Sequence, residues 1–329
     1  MNTTQNIQRK NNMLYAKVMG TGSYLPKKII TNDDLSKMVD TSDEWIVTRT
    51  GIKQRHIADE NEFTSDLATK AALDAMKSAN ISADEIDLII LSTTTPNNTF
   101  PATATKVQAN IQAVNSAAFD IQSVCSGFMY AMTTANNYIK SGTVKTVLVI
   151  GAETLSRVVN WKDRNTCVLF GDGAGAVVLQ ASNSSGILNT NIKSDGSFYE
   201  YLKTTSGPSQ GNKESFITMN GQEVFKVAVK KMPEILLNTI QDIGLSISDV
   251  SWVIPHQANT RIIDLVAKNI NIDKEKVIIT IDKHANTSAA SIPLAFDDAV
   301  KSGKIKSGDI IAMTAIGAGF SWGSIVLKY

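Results

Sequence analysis

Two stretches of this chain reappear, in the same order, about 160 residues later. The segment NISADEIDLIILS (80–92) resembles GLSISDVSWVIPH (244–256), and IKSGTVKTVLVIG (139–151) resembles VKSGKIKSGDIIAMT (300–314). Each half ends with a Gly-rich turn that leads into a β-rich run, FGDGAGAVVLQ and IGAGFSWGSIVLKY. Ordered self-similarity of this kind indicates a duplicated unit. We therefore expect two related halves, 14–184 and 185–329, joined near the polar segment SNSSG.

Each half alternates between helix-like and strand-like patterns. Apolar residues three and four apart predict helices at 65–77, 127–140, 224–241, 260–268 and 288–301. Short β-rich runs predict strands at 87–93, 117–121, 146–150, 174–180, 250–254, 277–281 and 310–314. Strands separated by helices favour an α/β fold with mostly parallel sheets. The stretch between the KSG segment and the Gly-rich turn is longer in the first half than in the second, which predicts an insertion at about 151–166.

The composition argues against several classes of protein. Apolar residues make up 43% of the chain and charged residues 19%, which is ordinary for a globular protein. A net charge of +1 argues against a nucleic-acid binder, and no apolar run is long enough to span a membrane. Residues 1–13 are a polar extension without the apolar core of a secretory signal. Two cysteines cannot build a disulfide framework, so we expect reduced thiols and a cytoplasmic location.

The first candidate for chemistry is Cys125, between a predicted strand and a predicted helix. The free N–H groups and positive potential of a helix N-terminus favour a thiolate at such a position. Ser126 and Gly127 leave room for a ligand near the backbone. A small buried hydrophobe is an equally good interpretation of a free cysteine. Cys167, inside the apolar run TCVLF, is expected in the core.

Two of the three histidines follow predicted strands. His256 and His284 come after WVIP and VIITI, at strand ends where ligand sites of α/β proteins collect, whereas His56 is expected to be structural. Asn286 lies 161 residues after Cys125, which is the offset of the second repeat, so we expect it at the equivalent junction. Its alternative role is a helix cap. The acidic, His and Cys residues lack metal-ligand spacing, so no metal is expected.

Taken together, these residues resemble the β-ketoacyl-acyl-carrier-protein synthase III family, the initiating condensing enzymes of fatty acid synthesis. The resemblance runs from about 18 to 329 and includes GTGSYLP (20–26), MVDTSDEWIVTRTGI (38–52), IPHQAN (254–259), NTSAAS (286–291) and GFSWGS (319–324). It implies a thiolase-like α/β fold, with duplicated βαβαβ-type halves and helices packed between and around two mixed sheets. It further implies a homodimer that takes acyl-CoA and malonyl-acyl carrier protein as substrates and needs no cofactor.

The resemblance also implies roles for individual residues. The catalytic triad would be Cys125, His256 and Asn286, and the backbone N–H groups of Cys125 and Ala318 would hold an oxyanion. CoA and pantetheine contacts are expected from Thr41, Trp45, Arg49, Arg164, Phe225 and Asn259. The acyl pocket would be formed by Ile316 and by Phe100, which is expected to close the partner subunit's pocket. Carrier-protein docking is expected at Lys226, Arg261 and Lys268.

The sequence departs from the family's pattern at two positions, and two other functions stay open. Many members of the family have Gly where this chain has Ala285, and Phe where it has Ile316. One rival is a related acyltransferase with another primer or a non-condensing acceptor, and the other is an inactive scaffold subunit. The nucleophile and both proposed decarboxylation donors are present, which favours condensation. The primer stays open between acetyl, another short acyl and a branched acyl group.

Overall fold

The computed structural model describes residues 14–211 and 214–329, so the predicted extension 1–13 lies outside the described residues. Within them the strands are β1 Tyr15–Tyr24, β2 Lys28–Thr31, β3 Gln54–Ile57, β4 Leu88–Ser92, β5 Ala117–Ile121, β6 Thr146–Thr154, β7 Asp172–Ser182, β8 Ile187–Ser194, β9 Leu202–Thr204, β10 Ile217–Met219, β11 Trp252–Pro255, β12 Ile310–Gly317 and β13 Ser321–Lys328. The helices are α1 Asn32–Ser36, α2 Asp43–Thr50, α3 Thr64–Ala79, α4 Thr103–Ile111, α5 Gly127–Lys140, α6 Arg164–Cys167, α7 Gly221–Gln241, α8 Thr260–Asn269, α9 Ile281–His284 and α10 Ser291–Lys301.

The two main sheets have corresponding strand orders, except that the second has no counterpart of the last strand of the first. The first is β1-β7-β6-β4-β5 and the second is β8-β13-β12-β11. β4 pairs in parallel with β5 and β6, and β11 pairs in parallel with β12, whereas β1, β7, β8 and β13 pair antiparallel. The duplicated α/β fold with two mixed sheets is therefore confirmed. The mostly parallel pairing expected from the alternation of elements holds only for β5, β4 and β6 at one side of the first sheet and for β11 and β12 at one side of the second.

Helices α5 and α10 occupy the layer between the two sheets. In α5 the apolar side chains recur every three or four residues, and Phe128, Ala131, Met132 and Ala135 are all buried. Together with Phe296 of α10 they form one cluster with residues of both sheets. Burial of a side chain such as Phe stabilises the fold by roughly 1.5–3 kcal/mol. Packing in this layer therefore holds the two helices in position, and with them the turn that precedes each helix.

The five predicted helices are confirmed, although 288–290 is a 3₁₀ turn that precedes α10. The strand predicted at 277–281 is wrong, because Val277 makes only a single bridge to Val253. The buried side chain of Gln257 binds the Ile278 carbonyl at 3.2 Å and the Thr280 N–H at 2.9 Å, which takes the groups that a strand ladder would need. Strand β6 runs to Thr154, so the predicted insertion begins later than 151.

The two halves match most closely in the 3₁₀ turns before α5 and α10. The turns span Val124–Ser126 and Ser288–Ala290, and both first residues have positive φ, 47° at Val124 and 49° at Ser288. Equivalent residues of the two turns are therefore 164 positions apart, not 161. Ala289 thus occupies the position in the second turn that Cys125 occupies in the first. The expectation that Asn286 is the equivalent of Cys125 is wrong, because α9 is inserted just before it in the second half.

Candidate active site

A cavity of about 980 Å³ runs from the surface to the predicted nucleophile. Its lining includes the exposed residues Arg49 and Lys226 and the buried residues Cys125, His256 and Asn286. The buried three come from the end of β5, the end of β11 and the turn before α10, which are far apart in the sequence. The structure thus brings the three predicted triad residues to one cavity.

Cys125 lies in the 3₁₀ turn that joins β5 to α5, and it is 7% exposed. Burial and the nearby charge of Glu153 raise the pKa of the thiol to about 12, although Ser288 and the backbone N–H of Cys125 lower it. Loss of hydration thus opposes the thiolate that the backbone N–H groups of the turn favour.

His256 directly follows β11, and its N–H donates to the Thr314 carbonyl at 2.8 Å. The ring Nδ1 lies 2.6 Å from the Ser291 hydroxyl, and burial lowers the pKa of the ring to about 4. Among the described residues Nδ1 is the one acceptor that the Ser291 hydroxyl reaches, so we assign the hydroxyl proton to the bond with Nδ1 and the ring proton to Nε2. A neutral His256 can then donate a hydrogen bond from Nε2.

Asn286 is held on both sides by the backbone. Its N–H donates to the Leu169 carbonyl at 2.9 Å, and its carbonyl accepts from the Gly171 N–H at 3.0 Å. Its side-chain Oδ1 accepts from the Ser288 N–H at 2.9 Å, which forms a local turn two residues long. The helix cap expected as the alternative role is not formed, because Thr287 and Ala290 occupy the N-cap positions of the 3₁₀ turn and of α10. The bond from Ser288 leaves the Asn286 Nδ2 group as a donor.

Ala318 follows β12 and lines a second, smaller cavity of about 150 Å³ that also borders Cys125. The preceding Gly317 comes so close that a Cβ there would lie 2.8 Å from the Cys125 nitrogen. Any larger residue at 317 would clash with the backbone of the nucleophile. This proximity is consistent with the predicted pair of oxyanion donors, whose assignment stays a prediction.

The mouth of the large cavity is aromatic and cationic. Trp45 of α2 lies under two guanidinium groups, with Arg49 at 4.5 Å and Arg164 at 5.2 Å from the ring centroid. Arg164 also donates to the Asp40 carbonyl at 2.8 Å. Trp45 and Arg49 line the cavity, whereas Arg164 and Thr41 do not. Thr41 keeps a buried hydroxyl without a partner among the described residues, and its predicted CoA contact stays a prediction.

The other predicted contacts divide between the cavity and the surface. Phe225, Asn259, Ile316, Lys226 and Arg261 all line the large cavity. The Asn259 Oδ1 caps α8 by accepting from the Ile262 N–H at 2.9 Å, and the Arg261 guanidinium lies 5.4 Å from the Phe225 ring centroid. Lys268 is exposed on the same helix but outside the cavity. Phe100 is 83% exposed and lines neither cavity of its own chain.

Comparison with known proteins decides the family. A model described as 3-oxoacyl-[acyl-carrier-protein] synthase III matches residues 119–196, and one described as the C-terminal part of that synthase matches 240–329. A β-ketoacyl-[acyl-carrier-protein] synthase III from Thiobacillus denitrificans is 53% identical over 96% of this chain and 100% of its own length. One from Ehrlichia canis is 54% identical over 94% and 98% of the two chains. The crystal structure of 3-oxoacyl-[acyl-carrier-protein] synthase III from Aquifex aeolicus is 53% identical, with a TM-score of 0.91 over 95% of this chain and 100% of that one.

The chain belongs to the 3-oxoacyl-[acyl-carrier-protein] synthase III family. It is an acyltransferase of the condensing type that acts in fatty acid synthesis, as the resemblance in the sequence implied. Among residues 14–211 and 214–329, no helix is long and apolar enough to cross a membrane. In the same residues, no group of three or more His, Cys, Asp and Glu side chains is arranged to hold a metal ion.

Two residues near the nucleophile of the synthase were missed by the sequence analysis. Glu153, at the end of β6, is fully buried, and Ser288 is 1% exposed. Ser288 stands inside the NTSAAS motif, which is the one signal that could have singled it out. Glu153 lies within the stretch interpreted as an insertion, so nothing in the pattern marked it as a site residue.

Proposed function

We propose that the synthase joins a short acyl-CoA to malonyl-acyl carrier protein through an acyl group carried on Cys125. The observation that supports this most directly is the convergence of Cys125, His256 and Asn286 on one cavity. In the first half-reaction the Cys125 Sγ attacks the thioester carbonyl, the new S–C bond forms, and the bond to the CoA sulfur breaks. The N–H groups of Cys125 and Ala318 would hold the oxyanion of that step.

In the second half-reaction malonyl-acyl carrier protein loses CO₂. The electron pair of the broken C–C bond places negative charge on the thioester oxygen, which hydrogen-bond donors stabilise. A neutral His256 and the Asn286 Nδ2 are suitable donors, because neither has to lose a proton. The resulting carbanion then attacks the acyl-Cys125 carbonyl, and collapse of the adduct releases 3-ketoacyl-carrier protein and the free cysteine.

The mouth of the cavity fits the proposed substrates. Trp45 offers a ring face to a base, and Arg49 and Arg164 offer cations to phosphates. Phe225 and Asn259 would border the pantetheine arm. Lys226, Arg261 and Lys268 are exposed cations near or beside this mouth, where an acidic carrier protein would dock. Lys226 is already paired with Glu223 at 2.7 Å, so Arg261 and Lys268 should contribute more to docking.

A homodimer is part of the proposal. Strand β5 is the edge of the first sheet, and its unpaired side invites pairing with another strand. Phe100 and Val114, on the loops around it, are 83% and 80% exposed, which is unusual for large apolar side chains. Burial of Phe100 against the partner subunit's acyl pocket would satisfy both features. Both cysteines are unpaired thiols, which supports the cytoplasmic location predicted from the sequence.

The proposal is tested with intact protein and a panel of acyl-CoAs. Acetyl-CoA should add one acetyl group, at Cys125, and addition of malonyl-acyl carrier protein should then release CO₂ and remove that group. Peptide mapping should find no label at Cys167, which is fully buried. Failure of every acyl-CoA to label Cys125, or transfer of the acyl group to an alcohol or amine in place of condensation, would overturn the proposal.

A further inference from the structure

His256 and Asn286 are each held at one side-chain atom by the same short segment of the C-terminal half, residues 288–291. The Ser288 N–H donates to Asn286 Oδ1 at 2.9 Å, and the Ser291 hydroxyl lies 2.6 Å from His256 Nδ1. For Asn286 the chemistry of the amide then leaves Nδ2 as a donor. For His256 the outcome depends on which ring nitrogen carries the proton, and therefore on the direction of the bond with Ser291.

The Ser291 hydroxyl is committed to this contact. Ser291 is the first residue of α10 and is 2% exposed, but the N-cap of the helix is Ala290 and no side chain caps it, so the hydroxyl does not serve the helix end. Among the described residues its hydrogen bonds are those with His256 Nδ1 and with the Gln257 N–H, at 3.4 Å. An N–H group can only donate, so the hydroxyl oxygen accepts from Gln257 and its proton is left for the ring nitrogen.

The two other protonation states of the ring fit this arrangement less well. A proton on Nδ1 would make the ring the donor, and the Ser291 hydroxyl proton would then have no acceptor among the described residues. The charged imidazolium meets the same conflict, because it carries a proton on both nitrogens. A buried donor without an acceptor is unfavourable, and burial also lowers the pKa of the ring to about 4. The neutral ring with its proton on Nε2 is the state that satisfies Ser291, Gln257 and His256 together.

Nε2 is the ring nitrogen that a substrate can reach. It makes no hydrogen bond with the described residues, yet it is not sealed from solvent as the unpartnered Nδ1 of His284 is. Because His256 lines the large cavity together with Cys125, a proton on Nε2 is available to a thioester oxygen there. An Nε2 without a proton would instead present a lone pair to the oxygen that becomes negative as CO₂ leaves, and it would give no stabilisation.

We propose that Ser291 is a positioning residue that holds His256 in its Nε2–H tautomer for the decarboxylation half-reaction. This inference rests on the proposed function, in which His256 donates to the thioester oxygen of malonyl-acyl carrier protein. Ser291 lines neither cavity, so it acts only through the ring. The other bond that holds His256 runs from its backbone N–H to the Thr314 carbonyl at 2.8 Å and does not involve the ring. The tautomer therefore depends on the Ser291 hydroxyl.

The tautomer is measured first, without substrate, by NMR of full-length protein labelled with [¹⁵N]histidine at pH 8, where an ordinary histidine ring is neutral. The chain has three histidines, so replacing each in turn assigns the ring signals. His56 is an internal standard for the opposite tautomer, because its Nδ1 lies 2.6 Å from the Pro26 carbonyl, which can only accept. Wild-type His256 should show a protonated Nε2 and a bare Nδ1. Ser291→Ala should show a mixture of both tautomers.

The consequence for the reaction is measured as acetylation and as CO₂ release, each on its own. Ser291→Ala should acetylate Cys125 at the wild-type rate, because the ring has no proposed part in that step. Its kcat for CO₂ release should fall about 10–100-fold, the usual cost of losing the group that orients a histidine at a metal site. The KM for malonyl-acyl carrier protein should stay unchanged, because the affected bond strengthens only in the transition state. The loss should be smaller than that of His256→Ala, which removes the donor altogether.

Two further variants separate the bond to the ring from general effects of the substitution. Ser291→Thr keeps a hydroxyl on the same carbon, so it should restore both the Nε2–H tautomer and the rate of CO₂ release. Ser324→Ala is the matched control, because it removes another fully buried hydroxyl, one that contacts Thr239 and the Ile235 carbonyl and lines neither cavity. It should leave the tautomer of His256 and the rate of CO₂ release unchanged.

The wild-type spectrum alone can overturn the proposal, if it shows the His256 proton on Nδ1. An unchanged tautomer or an unchanged rate of CO₂ release in Ser291→Ala would also overturn it, as would an equal loss in Ser324→Ala. A Ser291→Thr protein as defective as Ser291→Ala would assign the defect to packing and would count against the hydroxyl. If the wild-type protein released no CO₂ from malonyl-acyl carrier protein, the proposed function would fail, while the spectra would still decide whether Ser291 sets the tautomer.

Discussion

The two halves carry the same irregular turn but different chemistry. Val124–Ser126 and Ser288–Ala290 share a positive φ at the first residue, and each precedes a helix of the central layer. The second residue of the turn is Cys125 in one half and Ala289 in the other. The N-terminal half thus holds the proposed nucleophile, whereas the proposed donors His256 and Asn286 lie in the C-terminal half. The same backbone geometry therefore carries different side chains in the two halves, and under the proposed roles the two half-reactions should be separable by half.

The largest effect is expected from the nucleophile of the N-terminal half. Cys125→Ala should abolish acetylation, because no other thiol reaches the cavity, and condensation should fall below detection. The variant should still release some CO₂ from malonyl-acyl carrier protein, since both donors remain. Radiolabelled CO₂ release beside intact mass measures both events. The control is Cys167→Ala, which removes a fully buried thiol and should remain acetylated; loss of label there in a folded protein would contradict the assignment.

The donors of the C-terminal half should show the reverse pattern. His256→Ala and Asn286→Ala should still form acetyl-Cys125 but should lose about 10²–10³-fold in decarboxylation and condensation, the usual cost of one oxyanion donor. Rates of acetylation and of CO₂ release, measured separately for each variant, test this. An Asn286→Ala protein that condenses at nearly the wild-type rate would show that Asn286 only closes the local turn with Ser288.

The C-terminal half also holds His256 and His284, and the lowered pKa of each ring should make the fold sensitive to acid. Burial lowers the pKa of His284 to about 4, and its Nδ1 has no partner among the described residues. The unfolded chain takes up this proton near pH 6.5 and the folded one only near pH 4, so stability should fall as pH drops between these values. At 1.36 kcal/mol per pKa unit the loss approaches roughly 3 kcal/mol.

Glu153 and Asp172 act in the opposite sense, because burial raises the pKa of both carboxyls. The informative quantity is therefore the difference in unfolding free energy between the wild type and His284→Asn. Urea unfolding from pH 7 to pH 4 should show a flatter dependence on pH in the variant. Parallel curves for the two proteins would mean that His284 does not contribute to acid sensitivity.

Substitutions on the proposed carrier-protein docking surface, at Arg261 and Lys268, should have a smaller effect that is confined to one substrate. Arg261→Glu and Lys268→Glu should raise the apparent KM for malonyl-acyl carrier protein by about tenfold at low salt while leaving acetylation nearly intact. Added salt should shrink the difference, because the screening length is about 8 Å at physiological ionic strength. Lys304→Glu, an exposed change in the turn after α10, is the control. Equal damage to acetylation would indicate misfolding in place of lost docking.

The fold could be predicted because it depends on patterns that a sequence displays, whereas the triad was implied by the family resemblance and stays a prediction. The repeat gave the duplication, the apolar spacing gave α5 and α10, and strand ends located Cys125 and His256. The strand at 277–281 failed because a distant side chain, Gln257, replaces the ladder with its own amide bonds. The burial of Glu153 and Ser288 was missed because it depends on packing between distant segments, which no local spacing reveals.

The smallest effect is expected at Ala285, which follows the inserted helix α9 of the C-terminal half. Its backbone has φ 57° and ψ −164°, a conformation that glycine adopts easily and alanine does not. This accounts physically for the Gly that many family members have at this position. Ala285→Gly relieves strain of about 1–3 kcal/mol. The substitution also raises the conformational entropy of the unfolded chain and removes a buried methyl group, which together cost about 1–2 kcal/mol of stability. The net change in unfolding free energy should therefore lie between a loss of about 1 kcal/mol and a gain of about 2 kcal/mol.

The matched control is Ala290→Gly in the following turn. Ala290 is equally buried, but its φ of −79° is ordinary for alanine, so the same substitution should destabilise the protein by about 1–2 kcal/mol. Because the losses common to both variants cancel, the difference between their unfolding free energies measures the strain at Ala285. Urea unfolding at neutral pH gives both values. Equal destabilisation by the two glycines would mean that the backbone before Asn286 carries no strain, and that the insertion distinguishes the two halves only by where it places the amide.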